Sequence, residues 1–109
     1  MYYTYMIRCK DNSIYTGITT NIERRMEEHI KKEEKCAKYT ARHTVENIEA
    51  VWTSSNRVLA SKLEYHIKKL PKPKKEKLIQ EEKSFEKLLQ NKIECNEYIR
   101  KTEYNKKKL

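Results

Sequence analysis

The sequence predicts a mixed α/β (α+β) fold: a small, mostly antiparallel three-stranded sheet flanked by helices, with a helical C-terminal extension. Three observations carry that prediction. Two aromatic and β-branched runs, Tyr2–Cys9 and Ser13–Ile18, are separated only by turn-forming residues. A third run of this kind, Val45–Thr53, stands further along the chain. The segments between and after these runs carry the i, i+3, i+4 apolar spacing of helices.

Lys10-Asp11-Asn12 joins the first two strands, and Asp and Asn accept the backbone angles of a hairpin turn. Alternation then puts Tyr3, Tyr5 and Ile7 on one face and Tyr2, Thr4 and Met6 on the other. Tyr15 lies on the returning strand, so a hairpin can bring its hydroxyl near that of Tyr5. Gly17 is the only glycine in the chain. Such a residue serves either an unusual backbone angle or the close approach of another group.

Asn21 is a good N-cap, and Glu23 in the following turn complements the helix dipole. Ile22, Met26 and Ile30 form the apolar face of that helix, with Arg25 and His29 inside or beside it and Glu23, Arg24, Glu27 and Glu28 outside. Each inward residue has an ordinary reading by itself, Arg25 laying its stem over the core edge and His29 being a satisfied, half-buried imidazole. Beside two tyrosines they read as a site. Further on, Arg57–Leu70 is a helix whose apolar face is Leu59, Leu63, Ile67 and Leu70, and Glu64 lies on the flank of that face, able to look along the sheet.

The order Tyr3-Thr4-Tyr5, Tyr15-Thr16-Gly17, Asn21, Arg25, His29 resembles the GIY-YIG nuclease family, and in particular its standalone single-domain bacterial branch. The similarity spans about the first eighty residues. Ala37-Lys38-Tyr39-Thr40 resembles the branch's segment after the first helix, and Glu64 matches the metal-binding Glu the family places on the later helix. The resemblance implies a divalent-metal-dependent endonuclease hydrolysing DNA phosphodiester bonds, with a place in DNA repair or recombination; small size without a second recognition domain points to structure-selective, single-strand-selective or weakly specific cleavage. It implies Tyr5, Tyr15, Arg25, His29 and Glu64 as catalytic residues and Glu64 as the sole protein ligand of one Mg²⁺ or Mn²⁺ ion, weakly bound without substrate. Arg25 presents a planar fork suited to two phosphate oxygens. The resemblance favours Tyr5 as the group that orients and deprotonates water, with Tyr15 assisting and His29 relaying a proton or holding a tyrosine hydroxyl. The residues themselves leave open which hydroxyl acts. Arg25 and a metal ion would both favour phenolate, which predicts a lowered tyrosine pKa when substrate is bound.

Thr4 and Tyr3 depart from the wider family's first motif, and the late Asn of many relatives is absent from LPKPKKEKLI, where Lys75 aligns best with the branch's own Lys. A formal net charge of +9, with 38% charged residues, points to an anionic partner, and nucleic acid fits it. Lys72, Lys74 and Lys75 are the candidate nucleic-acid contacts. No apolar run is long enough for a membrane span and no signal-peptide pattern opens the chain, so the expected location is the cytoplasm and the expected partners exclude a membrane. Cys9, Cys36 and Cys95 form no CxxC pair and read as reduced thiols rather than zinc ligands.

Pro71 and Pro73 end the preceding helix, and Lys74 to about Lys101 is rich in Lys, Glu, Gln and Leu, which predicts a long helix with an irregular apolar stripe. The chain therefore divides at residue 80: a nuclease-like domain over 1–80, and over 81–109 a charged helical extension ending in a frayed basic tail. That helix is either docked on the core or open to a protein partner. The rival functions are a nucleic-acid-binding module with weak or no catalysis, and a protein-interaction adaptor acting through the C-terminal helix.

Overall fold

The structure is a computed structural model that describes residues 1–31 and 42–109. Ala37-Lys38-Tyr39-Thr40 and Cys36 fall outside the described residues. Strands β1 (Tyr2–Cys9) and β2 (Ile14–Thr19) form the expected hairpin, and Asn12 takes a left-handed backbone at its turn, φ 72°. Helix α1 (Ile22–Lys31) follows, with Asn21 Oδ1 accepting the Arg24 amide at 3.0 Å. Strand β3 (Val45–Ser54) pairs antiparallel with β1 and leads into α2 (Arg57–Lys69), whose N-cap Asn56 accepts the Leu59 amide at 2.9 Å.

The sheet has five strands in the order β2-β1-β3-β4, with β5 also on β3. Strands β4 (Ile99–Arg100) and β5 (Lys107–Lys108) are two residues each and pair with opposite ends of β3's outer edge. The expected three-strand sheet is thus its central part. A ten-residue β3 leaves a row of unpaired amides and carbonyls on that edge, and the returning chain satisfies part of it. The basic tail, expected to fray, is held there: Lys107 pairs with Ile48 and Lys108 with Asn47.

The sheet separates two apolar clusters. Tyr5, Ile7, Ile22, Met26, Ile48 and Val51 pack under α1, while Met6, Ala50, Trp52, Leu63 and Ile67 pack under α2. Ile48 and Ala50 would share a face in a regular strand. A register shift opposite Met6 and Ile7 makes Glu49 an extra residue, so Met6 faces Ala50 and Ile7 faces Ile48 on opposite sides. Glu49 is buried but paired: Arg8 Nε donates to it at 2.8 Å, and the same guanidinium grips Glu76 with two bonds of 2.6 Å. That pairing holds the Glu76 carboxyl below its ordinary pKa.

The long helix expected from Lys74 to about Lys101 is not one helix. Helix α3 (Lys72–Gln80) stops at Glu81, whose backbone is extended, and α4 (Ser84–Leu89) begins after a turn. Buried Ser84 donates to the Lys77 and Glu81 carbonyls at 3.0 and 2.6 Å, fixing the bend. Helix-forming composition is overridden because Leu78, Ile79, Leu89, Ile93 and Tyr98 cannot reach one core from a straight rod. Phe85 stacks on Trp52 with centroids 5.5 Å apart, Tyr98 donates to the Leu59 carbonyl at 2.7 Å, and Arg100 donates to the Leu78 and Ile79 carbonyls at 3.2 and 3.0 Å. Among the described residues no helix is long and apolar enough to cross a membrane.

Candidate active site

The site forms where the α1 face of the sheet meets the outer edge of β2. Tyr5 pairs in register with Gly17, and its ring lies over that residue: a Cβ built on Gly17 would sit 2.5 Å from the Tyr5 hydroxyl and 3.1 Å from Tyr15 Cε2. Gly17 has no positive φ, so close approach, not backbone freedom, is what requires glycine here. The missing side chain lets Tyr5 reach across β2 to its open edge beside Tyr15, with ring centroids 6.3 Å apart.

Helix α1 supplies the groups around the Tyr5 hydroxyl. His29 Nε2 is 2.8 Å from it, and Arg25 Nε donates to it at 3.4 Å. The residues sit one helical turn apart, so both point down onto the same ring. Tyr5 and His29 are fully buried, and the His29 ring stands edge-on to both Tyr5 and Tyr15. Arg25 Nη1 donates to Glu28 Oε1 at 2.7 Å, which fixes the fork of the guanidinium. From the opposite face, α2 contributes at the same edge: Lys68 Nζ lies 3.3 Å from Glu64 Oε2 and 5.6 Å from the centre of the Tyr15 ring.

These placements set the proton affinities. Burial pushes the Tyr5 phenol well above its ordinary pKa; the Arg25 hydrogen bond opposes that, while the charges of Tyr15 and Glu64 reinforce it. In the free protein the phenol therefore holds its proton, because loss of water outweighs one cationic neighbour. His29 is pulled down to about 4, first by burial and then by the Arg25 charge, and is neutral at pH 7.

Residues 1–78 match the family described as the GIY-YIG catalytic domain. The chain belongs to the GIY-YIG family. A UPF0213 protein of Fusobacterium nucleatum subsp. nucleatum is 47% identical over 90 residues, covering 83% of this chain and 88% of that one. UPF0213 protein YhbQ of Salmonella typhimurium is 40% identical over 88 residues, covering 81% and 86%. The solution NMR structure of a UPF0213 protein from Bacillus halodurans shares 36% identity, covers 72% of this chain and 83% of that one, and gives a TM-score of 0.45.

In this GIY-YIG chain, Tyr5, Tyr15, Arg25 and His29 converge directly, and Glu64 is linked to them through Lys68, which it pairs with and which lies over the Tyr15 ring. The three candidate lysines diverge. Lys75 is half-buried with its pKa lowered by burial and by the charge of Lys68. Lys72 instead donates to the Asn12 carbonyl at 2.6 Å and lies 4.0 Å from Glu76, while Lys74 is exposed. Among the described residues no group of three or more His, Cys, Asp or Glu is placed to hold a metal. Lys68 and Glu28 were not anticipated from sequence, although each stands at helical contact spacing from a residue that was, Glu64 and Arg25.

Two measurements probe this geometry. Gly17→Ala forces the Tyr5 ring off its seat; the expected outcome is a stability loss of ~1–3 kcal/mol from overpacking and a larger loss of any catalytic turnover. Unchanged turnover with an intact fold would show that the Tyr5 position is not required. The His29 shift also predicts acid sensitivity. Its pKa is lower in the folded protein than in the unfolded chain, so the unfolded state binds the extra proton first; stability is full above the ordinary histidine value of 6.5, falls as pH drops towards about 4, and is level below that. The loss is about 3 kcal/mol, and urea titrations of wild type and His29→Gln across this range should differ in slope.

Proposed function

We propose that this protein is a divalent-metal-dependent endonuclease that hydrolyses DNA phosphodiester bonds, with Tyr5, Tyr15, Arg25, His29 and Glu64 as its catalytic residues. The observation that carries the reading is the Tyr5 hydroxyl held between His29 Nε2 at 2.8 Å and Arg25 Nε at 3.4 Å. A buried phenol in that position has an acceptor for its own proton in His29 and a cationic donor, Arg25, to stabilise its oxygen as that proton leaves. As water attacks phosphorus, the Tyr5 oxygen takes the water's proton while its own moves to the neutral His29 Nε2, so no buried phenolate accumulates. This direction uses the His29 tautomer that carries its proton on Nδ1. His29 ends the step as an imidazolium, and its low proton affinity returns that proton readily once product leaves.

Arg25 donates to Tyr5 through Nε, and its fork, braced by Glu28, lies beside the place the phosphate must occupy. It stabilises the negative charge gathering on the non-bridging oxygens. Tyr15 flanks the relay and positions the phosphate. Glu64 is the carboxylate available to a cation, and the donor set fits a hard ion that keeps water and substrate oxygens as its other ligands, Mg²⁺ or Mn²⁺. Such an ion supplies positive charge at the phosphate and at the leaving oxygen. Until it binds, Lys68 at 3.3 Å balances the Glu64 charge.

The test is incubation of the full chain with end-labelled single-stranded, nicked, branched and duplex DNA in Mg²⁺, in Mn²⁺ and in chelator. Cutting that needs the ion supports the reading. Binding without cutting on every substrate and metal replaces it with a nucleic-acid-binding module.

A further inference from the structure

At the end of the sheet where β1 begins and β2 and β3 finish lies an open cleft of about 460 Å³, lined by Tyr2, Thr19, Thr20, Arg24, Arg25 and Arg57, with Ile18 and Glu28 completing it. It shares Arg25 and its brace Glu28 with the proposed catalytic group but is otherwise made of residues the mechanism does not use. Three guanidinium groups face it against one carboxylate, and that carboxylate is already paired with Arg25 at 2.7 Å. Arg24 and Arg57 are exposed, and among the described residues neither guanidinium makes a hydrogen bond or ion pair. Their location is costly for folding. Both stand in the first turns of helices, α1 and α2, where a cation opposes the helix dipole, and α2 has no acidic residue in its first turn to offset Arg57.

Positive charge kept where it weakens both helices, around a concavity that opens beside Arg25, points to an anionic ligand rather than to stability. Resting on the nuclease reading, we infer that this cleft is a single-strand subsite: Arg24 and Arg57 hold the phosphate next to the scissile one, and the half-buried Tyr2 ring offers a face for its unpaired base. The size suits one nucleotide unit, and the Tyr2 face suits a base free of its partner. A cleft of 460 Å³ lies in the range of small-molecule sites, ~300–1,000 Å³, and has room for a nucleotide unit. Arginine forks suit phosphate, and stacking on an aromatic face is indifferent to which base is present. The enzyme would therefore grip a strand by its backbone and choose substrates by whether that strand is unpaired beside the cut.

The inference is tested in the Glu64→Gln protein, so that binding is read without cleavage. Fluorescence anisotropy is recorded for a labelled single-stranded oligonucleotide and for its duplex over a range of salt. For single strands each phosphate contact contributes ~0.7 to the log–log salt slope. Arg24→Ala with Arg57→Ala should lower that slope by about 0.7 for the one phosphate they share, weaken single-strand binding at least tenfold, and leave duplex binding nearly unchanged. Arg57→Glu should weaken it further while thermal stability stays level or rises, which a structural role for Arg57 would not allow. Equal single-strand affinity and slope with and without the two arginines overturns the subsite, as does an equal effect on duplex. A wild type that cuts nothing, yet binds single strands through Arg24 and Arg57, keeps the subsite and removes the nuclease reading.

Discussion

Glu64→Gln should abolish metal-dependent cleavage, by at least ~100-fold in turnover, with no matching loss of stability. Glu64 is the carboxylate at the strand edge where Tyr15, Lys68 and Tyr5 meet, and the amide that replaces it keeps shape and loses the charge a hard cation needs. What the fold loses is one half-exposed helical pair with Lys68, worth about 0.5 kcal/mol or less. Turnover and the unfolding midpoint thus separate. The companion Arg25→Lys keeps the charge but gives up the fork and the Nε bond to Tyr5, so it too should lose turnover rather than affinity for DNA. Full activity in Glu64→Gln would remove the metal assignment.

A chain ending at Gln80 should not fold cooperatively. Such a truncation retains all the residues of the proposed catalytic group and the whole stretch that matches the GIY-YIG domain, residues 1–78. It nevertheless removes Leu89, Ile93 and Tyr98, which are buried in the core under α2, together with Phe85 against Trp52. At ~1.5–3 kcal/mol for each fully buried apolar side chain, the three buried residues alone contribute ~5–9 kcal/mol. That rivals the ~5–15 kcal/mol by which a whole domain is stable. The cut also strips Arg100 from the α3 carbonyls and Tyr98 from the Leu59 carbonyl. Circular dichroism against temperature should show no sharp transition for residues 1–80. A sharp one would establish 1–80 as a domain by itself and free the remainder for a partner.

Much of the site was legible in the sequence because its parts obey local periodicities. Alternation put Tyr5 on the face that α1 covers, hairpin pairing brought Tyr15 beside it, and 3.6-residue spacing turned Arg25 and His29 inward together. The hairpin turn, the cap at Asn21 and the break at Pro71 are also local chemistry. One long helix from Lys74 to about Lys101 is what composition predicts because helix propensity is a sum over neighbours, whereas the bend at Glu81–Ser84 is set by where the core lies. The pairing of the basic tail with β3 was hidden for the same reason: an open strand edge exists only once the sheet does.

By itself, then, the sequence determined which side chains could act and which face of each element they occupy, since strand and helix periods are intrinsic to the backbone. The tertiary structure decided how those groups behave. It laid the Tyr5 ring over Gly17, buried the phenol so that its proton is held, kept His29 neutral, and placed Lys68 between Glu64 and Tyr15. Proton affinity depends on the water a group has lost and the charges brought within a few ångströms of it, and both are properties of distant segments packed together.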